Sequence, residues 1–189
     1  MIRIINPNQF KTVTWKNGKG QTTELAISEN GTLDNFDWRL SIASVVEDGP
    51  FSDFSGYERN LFLLEGEGIK LLHNEDQIDV LNKPLSVSSF NGQCKTIGKL
   101  INGPIIDFNL MTKEGIYQVK TNTFVEPIDN EFNVSELTFI YSHHSNIQLV
   151  FNSDNLEISK QHLVVISGDA NVNIRAENMI VISLRKKAL

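Results

Sequence analysis

Apolar positions in this chain come in short runs rather than in helical period. Trp38 to Val46, Leu61 to Leu64, Ile69 to Leu72, Leu85 to Phe90, Ile105 to Met111, Leu137 to Tyr141, Ile147 to Phe151, His162 to Ile166 and Met179 to Leu184 are rich in Val, Ile, Leu and Phe. Each is bounded by turn-forming residues, which predicts strands. The punctuation includes Glu47-Asp48-Gly49-Pro50, Glu65-Gly66-Glu67-Gly68, Asn102-Gly103-Pro104, Asn152-Ser153-Asp154-Asn155 and Ser167-Gly168-Asp169, types that supply a positive φ or a local hydrogen bond. Leu61 to Leu72 reads as the clearest hairpin. No long amphipathic helix separates the runs, so the pattern predicts an all-β sandwich or barrel. Asn6 to Val13 and Gln118 to Val134 read as irregular or briefly helical, the second as a connection between two strand-rich halves.

Strand parity then separates the faces. Trp38, Leu40 and Ile42 share an ordinary core face, whereas Arg39, Ser41 and Ala43 share the other. Two small side chains beside a guanidinium leave room for the arginine itself or for a bound molecule; an outer face with Arg39 in water is the alternative. Phe108 and Leu110 likewise oppose Asp107, Asn109 and Met111. An acceptor and an amide on one face suit a ligand or a buried arginine. Asp48 to Arg59 is a loop anchored by Phe51, Phe54 and Tyr57, either a cover over a barrel mouth or a packed surface loop. Trp15 to Glu24 is a glycine loop that lacks the spacing of a phosphate loop, yet Asn17 and Thr22 offer amide and hydroxyl donors.

Composition narrows the function classes. The 189 residues, 40% apolar with 11 Phe, suit one compact unit with a sizeable core. A net charge of -6 argues against nucleic acid, which needs concentrated Lys and Arg. No apolar stretch approaches about 18 residues, so no membrane span is expected. Met1 to Phe10 is too polar for a signal peptide, leaving a cytoplasmic location as the default. Cys94 is alone and reads as filler. His73, His143, His144 and His162 are scattered and read as lone turn or surface residues; His143 and His144, adjacent on a strand, would point to opposite faces.

Several of these segments together resemble the HutD/Ves family. They are Trp15-Lys16-Asn17-Gly18-x-Gly20-x-Thr22-x-Glu24, Phe36-Asp37-Trp38-Arg39-x-Ser41-x-Ala43, Asp48-Gly49-Pro50-Phe51-Ser52-x-Phe54-x-Gly56-x-x-Arg59, Leu63-Leu64-Glu65-Gly66-Glu67-Gly68 and Asp107-Phe108-Asn109-Leu110-Met111. The resemblance implies a cupin-type double-stranded β-helix, a jelly-roll barrel of bicupin form, with residues 1–117 as the first half and 118–189 as the second. It also implies an accessory role in histidine utilisation, binding N-formylglutamate or formate without an established catalytic activity. Two departures stand out: Gln93 where the family tends to carry an acid, and Lys19 in place of a loop glycine.

The expected ligand-binding set is Trp15, Asn17, Thr22, Arg39, Ser41, Phe51, Arg59, Asp107 and Asn109. Parity favours Trp15 over Trp38 as the inward tryptophan. A small anionic metabolite is the expected partner, with no catalytic residue, metal or cofactor, and a homodimer left open. The rival reading is a cupin enzyme, isomerase or oxygenase-like, for which Asp107 is the acid–base candidate. A third is a partner-binding β protein with its polar faces in solvent.

Overall fold

The computed structural model describes residues 1–15, 20–134 and 136–188, where the regular elements are β-strands and one 3-10 turn at Pro7–Gln9. The chain divides into two compact units, residues 10–116 and residues 1–9 with 117–189. Residues 1–9, which the sequence-based division puts in the first half, here group with residues 117–189. Strand β1 (Ile2–Ile5) pairs with β17 (Leu163–Ser167) of the C-terminal unit.

The 10–116 unit contains β2 (Lys11–Thr14), β3 (Gly20–Ile27), β4 (Trp38–Val45), β5 (Gly49–Pro50), β6 (Tyr57–Glu65), β7 (Ile69–His73), β8 (Gln77–Leu81), β9 (Val87–Asn91), β10 (Thr96–Leu100) and β11 (Ile105–Lys113). They form a six-stranded sheet in the order β2-β3-β4-β11-β6-β9 and a four-stranded sheet in the order β5-β10-β7-β8. The other unit contains β1, β12 (Tyr117–Phe124), β13 (Ile128–Val134), β14 (Leu137–Ser142), β15 (Ile147–Phe151), β16 (Asp154–Ile158), β17, β18 (Ala170–Ala176) and β19 (Met179–Lys186). Its sheets run β1-β17-β14-β19-β12 and β13-β18-β15-β16. Strands β4 to β11 and β12 to β19 thus follow the same connection order. In both units hydrogen bonding leaves two separate sheets, not one closed barrel.

Alternation of apolar and polar side chains explains the layers. In the 10–116 unit Leu61, Leu63, Ile69, Leu71, Leu81, Phe90 and Ile105 fill the space between the sheets. In the other unit Ile140, Ile147, Leu149, Val164, Val172, Ile174 and Val181 do the same.

Two readings of the sequence are corrected. Leu61 to Leu72 is not a hairpin, because β6 pairs with β11 and β9 whereas β7 pairs with β10 and β8. The Glu-Gly-Glu-Gly link turns a corner between sheets. Gly66 sits at φ +94° and Gly68 at φ +122°, and a Cβ on Gly68 would lie 2.2 Å from the Leu81 carbonyl oxygen, so glycine is required. Gln118 to Val134 is not irregular either. It supplies most of β12 and β13, which among the described residues pair only with β19 and β18 respectively. As sheet edges they carry many polar side chains, which hides the strand pattern.

Candidate functional site

Antiparallel register puts directly opposed residues on one face. Glu24, Ser41 and Asn109 lie in one row, Thr22, Ala43 and Asp107 in the next, and Ile27, Arg39, Met111 and Arg59 in a third. With the β2 strand and the loop after β4, these rows enclose a cavity of about 880 Å³. The opposite faces of the same strands carry Leu40, Phe62, Phe108 and Leu110, all fully buried. Parity therefore fixes which side chains reach the cavity. In the other unit, β14 and β19 hold the places of β6 and β11 in the connection order, and Ile140, Val181 and Met179 join an apolar core there. The fold does not require charges at this level, so the ionisable floor of the first unit calls for another explanation.

Arg59, only 4% exposed, is the centre of that floor. Its Nη2 donates to Asn109 Oδ1 at 3.0 Å. Its guanidinium carbon lies 5.3 Å from the Phe51 ring centroid, 5.5 Å from Phe54 and 5.1 Å from Phe90, an arrangement that holds a cation against aromatic faces. Asn109 in turn donates its Nδ2 to Asp107 Oδ1. Two buried polar atoms are left without a hydrogen-bond partner in this cluster, Arg59 Nε and Asp107 Oδ2. One is a donor and the other an acceptor, and both residues line the cavity.

The electrostatics of the pair are set by burial. Burial pushes the Asp107 carboxyl up to about 7, against the pull of Arg59 and the Asn109 hydrogen bond, which lower it. Burial brings the Arg59 guanidinium down to about 10; Asp107 raises it and Arg39 lowers it further. Around neutral pH the Asp107 charge is therefore partly neutralised while Arg59 keeps its own. Arg39 has a separate partner, its Nε donating to Glu24 Oε2 at 2.8 Å. With Asp107 neutral, these four groups carry one net positive charge.

The walls are held by local geometry. Trp15 donates its indole Nε1 to Thr22 Oγ1 at 2.8 Å, and its ring packs on Gly20, where a Cβ would lie 3.0 Å away. Phe51 lies on Gly98, where a Cβ would be 2.7 Å from the ring. Phe54 is tied to Gly92 by its backbone, N donating to Gly92 O at 3.0 Å.

Of the residues expected from sequence, Trp15, Thr22, Arg39, Ser41, Phe51, Arg59, Asp107 and Asn109 line this cavity. Asn17 and Lys19 lie outside the described residues. Gln93 is exposed in the turn after β9 and does not line the cavity, its backbone N donating to Asn91 Oδ1 at 2.9 Å. The structure gives this departure no bearing on the pocket. Sequence reasoning missed Glu24, Ile27, Phe54 and Met111 as members of the lining. Parity groups Met111 with Asp107 and Asn109, and the same alternation carried on from Thr22 reaches Glu24, but Ile27 enters through a bulge between Glu24 and Ala26 that breaks the two-residue period.

The histidines also need correction. His73 is buried, not a turn or surface residue; its Nδ1 is 2.8 Å from Thr96 Oγ1 and its ring stacks 4.6 Å from Phe90. That places it behind Phe90, which in turn faces Arg59. His143 and His144 follow β14 in a bend, with ring centroids 5.0 Å apart, so they do not point to opposite faces of a strand. Among the described residues no group of three or more His, Cys, Asp or Glu is arranged to hold a metal ion.

Paired sheets of this kind are cupin-like. A cupin 2 conserved barrel domain protein from Leptotrichia buccalis superposes with a TM-score of 0.55 at 8% identity, covering 93% of this chain and 96% of that one, a likeness of fold alone. The sequence is more specific. The HutD family model matches residues 7–182, and the chain belongs to the HutD family. A 21.2 kDa protein from the hutC 3′ region of Pseudomonas putida is 32% identical over 158 residues, spanning 84% of this chain and 77% of that protein. HutD from Pseudomonas fluorescens SBW25 superposes with a TM-score of 0.82 at 26% identity over the full length of both chains. A conserved protein from Pseudomonas aeruginosa PAO1 gives 0.88 at 25% identity, covering 97% of this chain and 98% of that one. No helix among the described residues is long and apolar enough to cross a membrane.

Proposed function

We propose that the cavity of the 10–116 unit binds a small carboxylate, such as formate or N-formylglutamate, and that the chain is a non-catalytic accessory of histidine utilisation. The observation that carries this reading is Arg59, a buried cation whose Nε lacks a hydrogen-bond partner. A buried donor left unpaired costs about 1–3 kcal/mol, a loss that a bound carboxylate reverses through a charge-assisted hydrogen bond. Asp107 aids this by giving up its charge. Asn109 fixes the orientation of both, and Arg39 adds positive potential. The family membership supports the link to histidine utilisation, and the formate condition named for the HutD structure makes formate a natural compound to test. The repeated strand order supports a bicupin in which the first unit keeps the site and the second has an apolar interior.

Calorimetric titration with formate and with N-formylglutamate tests the reading, using Arg59→Met as a control of similar shape. Binding by the wild type, weakened at least tenfold in the variant, is the expected result. No heat from either compound at millimolar concentration removes the proposal. The enzymatic alternative draws on one observation, the rise of the Asp107 carboxyl to about 7, near the optimum for proton transfer at neutral pH. Chemical turnover of a bound carboxylate, abolished in Asp107→Asn, would establish it.

A further inference from the structure

The charges of the cavity occupy its floor, whereas much of its wall is apolar. At about 880 Å³ the space is far larger than formate, and it falls in the range of about 300–1,000 Å³ that holds drug-sized ligands. Trp15, Ile27, Phe51 and Phe54 contribute apolar surface to the lining while staying partly accessible. Val13 and Leu33 line it too, and they remain 63% and 60% exposed.

Leu33 is out of place by local rules. Thr32 and Asn35 bridge through reciprocal backbone hydrogen bonds of 2.9 and 3.2 Å, so Leu33 and Asp34 form the tip of a tight turn. Turn tips favour Gly, Asn, Asp and Ser, whose small or polar side chains serve the bend. A leucine there neither assists the turn nor enters the core. What it does is extend the apolar wall toward solvent.

We infer that the natural occupant is an amphipathic monocarboxylate, its acid group at Arg59 and an apolar body of several carbons along Trp15, Phe51 and Leu33. This rests on the carboxylate reading above and narrows it: N-formylglutamate, which carries two carboxylates, falls outside the narrower class. The floor has room for one added negative charge: Arg39 Nε is committed to Glu24, Arg59 Nε has no partner among the described residues, and with Asp107 neutral the four floor groups carry one net positive charge. A second carboxylate on the same molecule would lie against the apolar wall or among Lys11, Glu47 and Asp48, where the two carboxylates outnumber the one lysine. Both settings disfavour it.

A homologous series tests the inference with the full chain: formate, butyrate and hexanoate, with glutarate as the dicarboxylate of matched length. Burying one methylene contributes about 0.8 kcal/mol, or roughly a fourfold gain in affinity. Hexanoate is therefore expected to bind at least tenfold more tightly than formate and more tightly than glutarate. Leu33→Ser and Val13→Ser, both at exposed positions, are expected to reduce the hexanoate gain. If formate binds but the series is flat, or glutarate binds best, the inference is overturned and the carboxylate site stands. If hexanoate gains affinity but neither serine variant reduces the gain, the inference is overturned again. If no member binds, formate included, both the site and the inference fall.

Discussion

Replacing Asp107 by Asn changes one buried oxygen for a nitrogen and removes the titration that defines the floor of the cavity. Two effects compete at this carboxyl: burial raises its pKa from 3.8 to about 7, while Arg59 and Asn109 lower it. The net rise means that burial wins over the neighbouring cation. An acid whose folded-state pKa is raised contributes stability that is fully present below its unfolded value of 3.8 and is lost as pH climbs through about 7. A shift of about 3 units corresponds to about 4 kcal/mol at most, at 1.36 kcal/mol per unit. Asp107 is fully buried, so solvent screening does not reduce that ceiling, although relaxation around the charge will. The stability of the wild type minus that of Asp107→Asn should therefore fall as pH rises from 4 to 7, by about 1.4 kcal/mol per pH unit at the steepest, and flatten above. Both tryptophans, Trp15 and Trp38, lie in the 10–116 unit, so urea unfolding followed by tryptophan fluorescence reports on it selectively. A difference that stays level across this range, or that grows with pH, refutes the reasoning: a growing difference would mean that Arg59 stabilises the carboxylate by more than burial penalises it.

Other substitutions probe the walls and the second cation. Arg39→Ala strands the Glu24 carboxylate and is expected to destabilise the unit by about 1–3 kcal/mol; a loss under about 0.5 kcal/mol, typical of surface sites, would place Arg39 in solvent. Trp15→Phe removes the indole hydrogen bond to Thr22, lowering stability by about 1 kcal/mol and abolishing any fluorescence response to ligand, since Trp38 lies on the opposite face of β4. Gly92→Ala sets a Cβ 2.2 Å from the Phe54 carbonyl oxygen. It should displace Phe54 from Arg59, with a fall in urea midpoint and weaker ligand binding together.

Much of the site was legible because a strand has a two-residue period. Arg39, Ser41, Asp107 and Asn109 were assigned to common faces from alternation alone, since each sits inside a regular strand. Ile27 was hidden by the bulge after Glu24, which alternation does not foresee. The aromatic faces around Arg59 were hidden for a different reason: Phe51, Phe54 and Phe90 come from separate segments, and only the tertiary fold brings them together. The repeat of strand order between β4 to β11 and β12 to β19 left no visible trace in sequence, because one unit fills its interior with Ile, Val and Met where the other places Arg, Asp and Asn. Edge strands β12 and β13 escaped for lack of apolar residues, and the Glu65 to Gly68 link was misread because two glycines serve a corner between sheets as readily as a hairpin.

The central claim is that a carboxylate sits against Arg59 in the cavity of the 10–116 unit. A crystal structure of the chain grown with N-formylglutamate or hexanoate tests it most directly. The account predicts a carboxylate oxygen within about 3.2 Å of an Arg59 nitrogen, with the rest of the molecule against Trp15 and Phe51. A ligand bound elsewhere with this cavity holding only water, or one whose acid group points away from both Arg59 and Arg39, would contradict it.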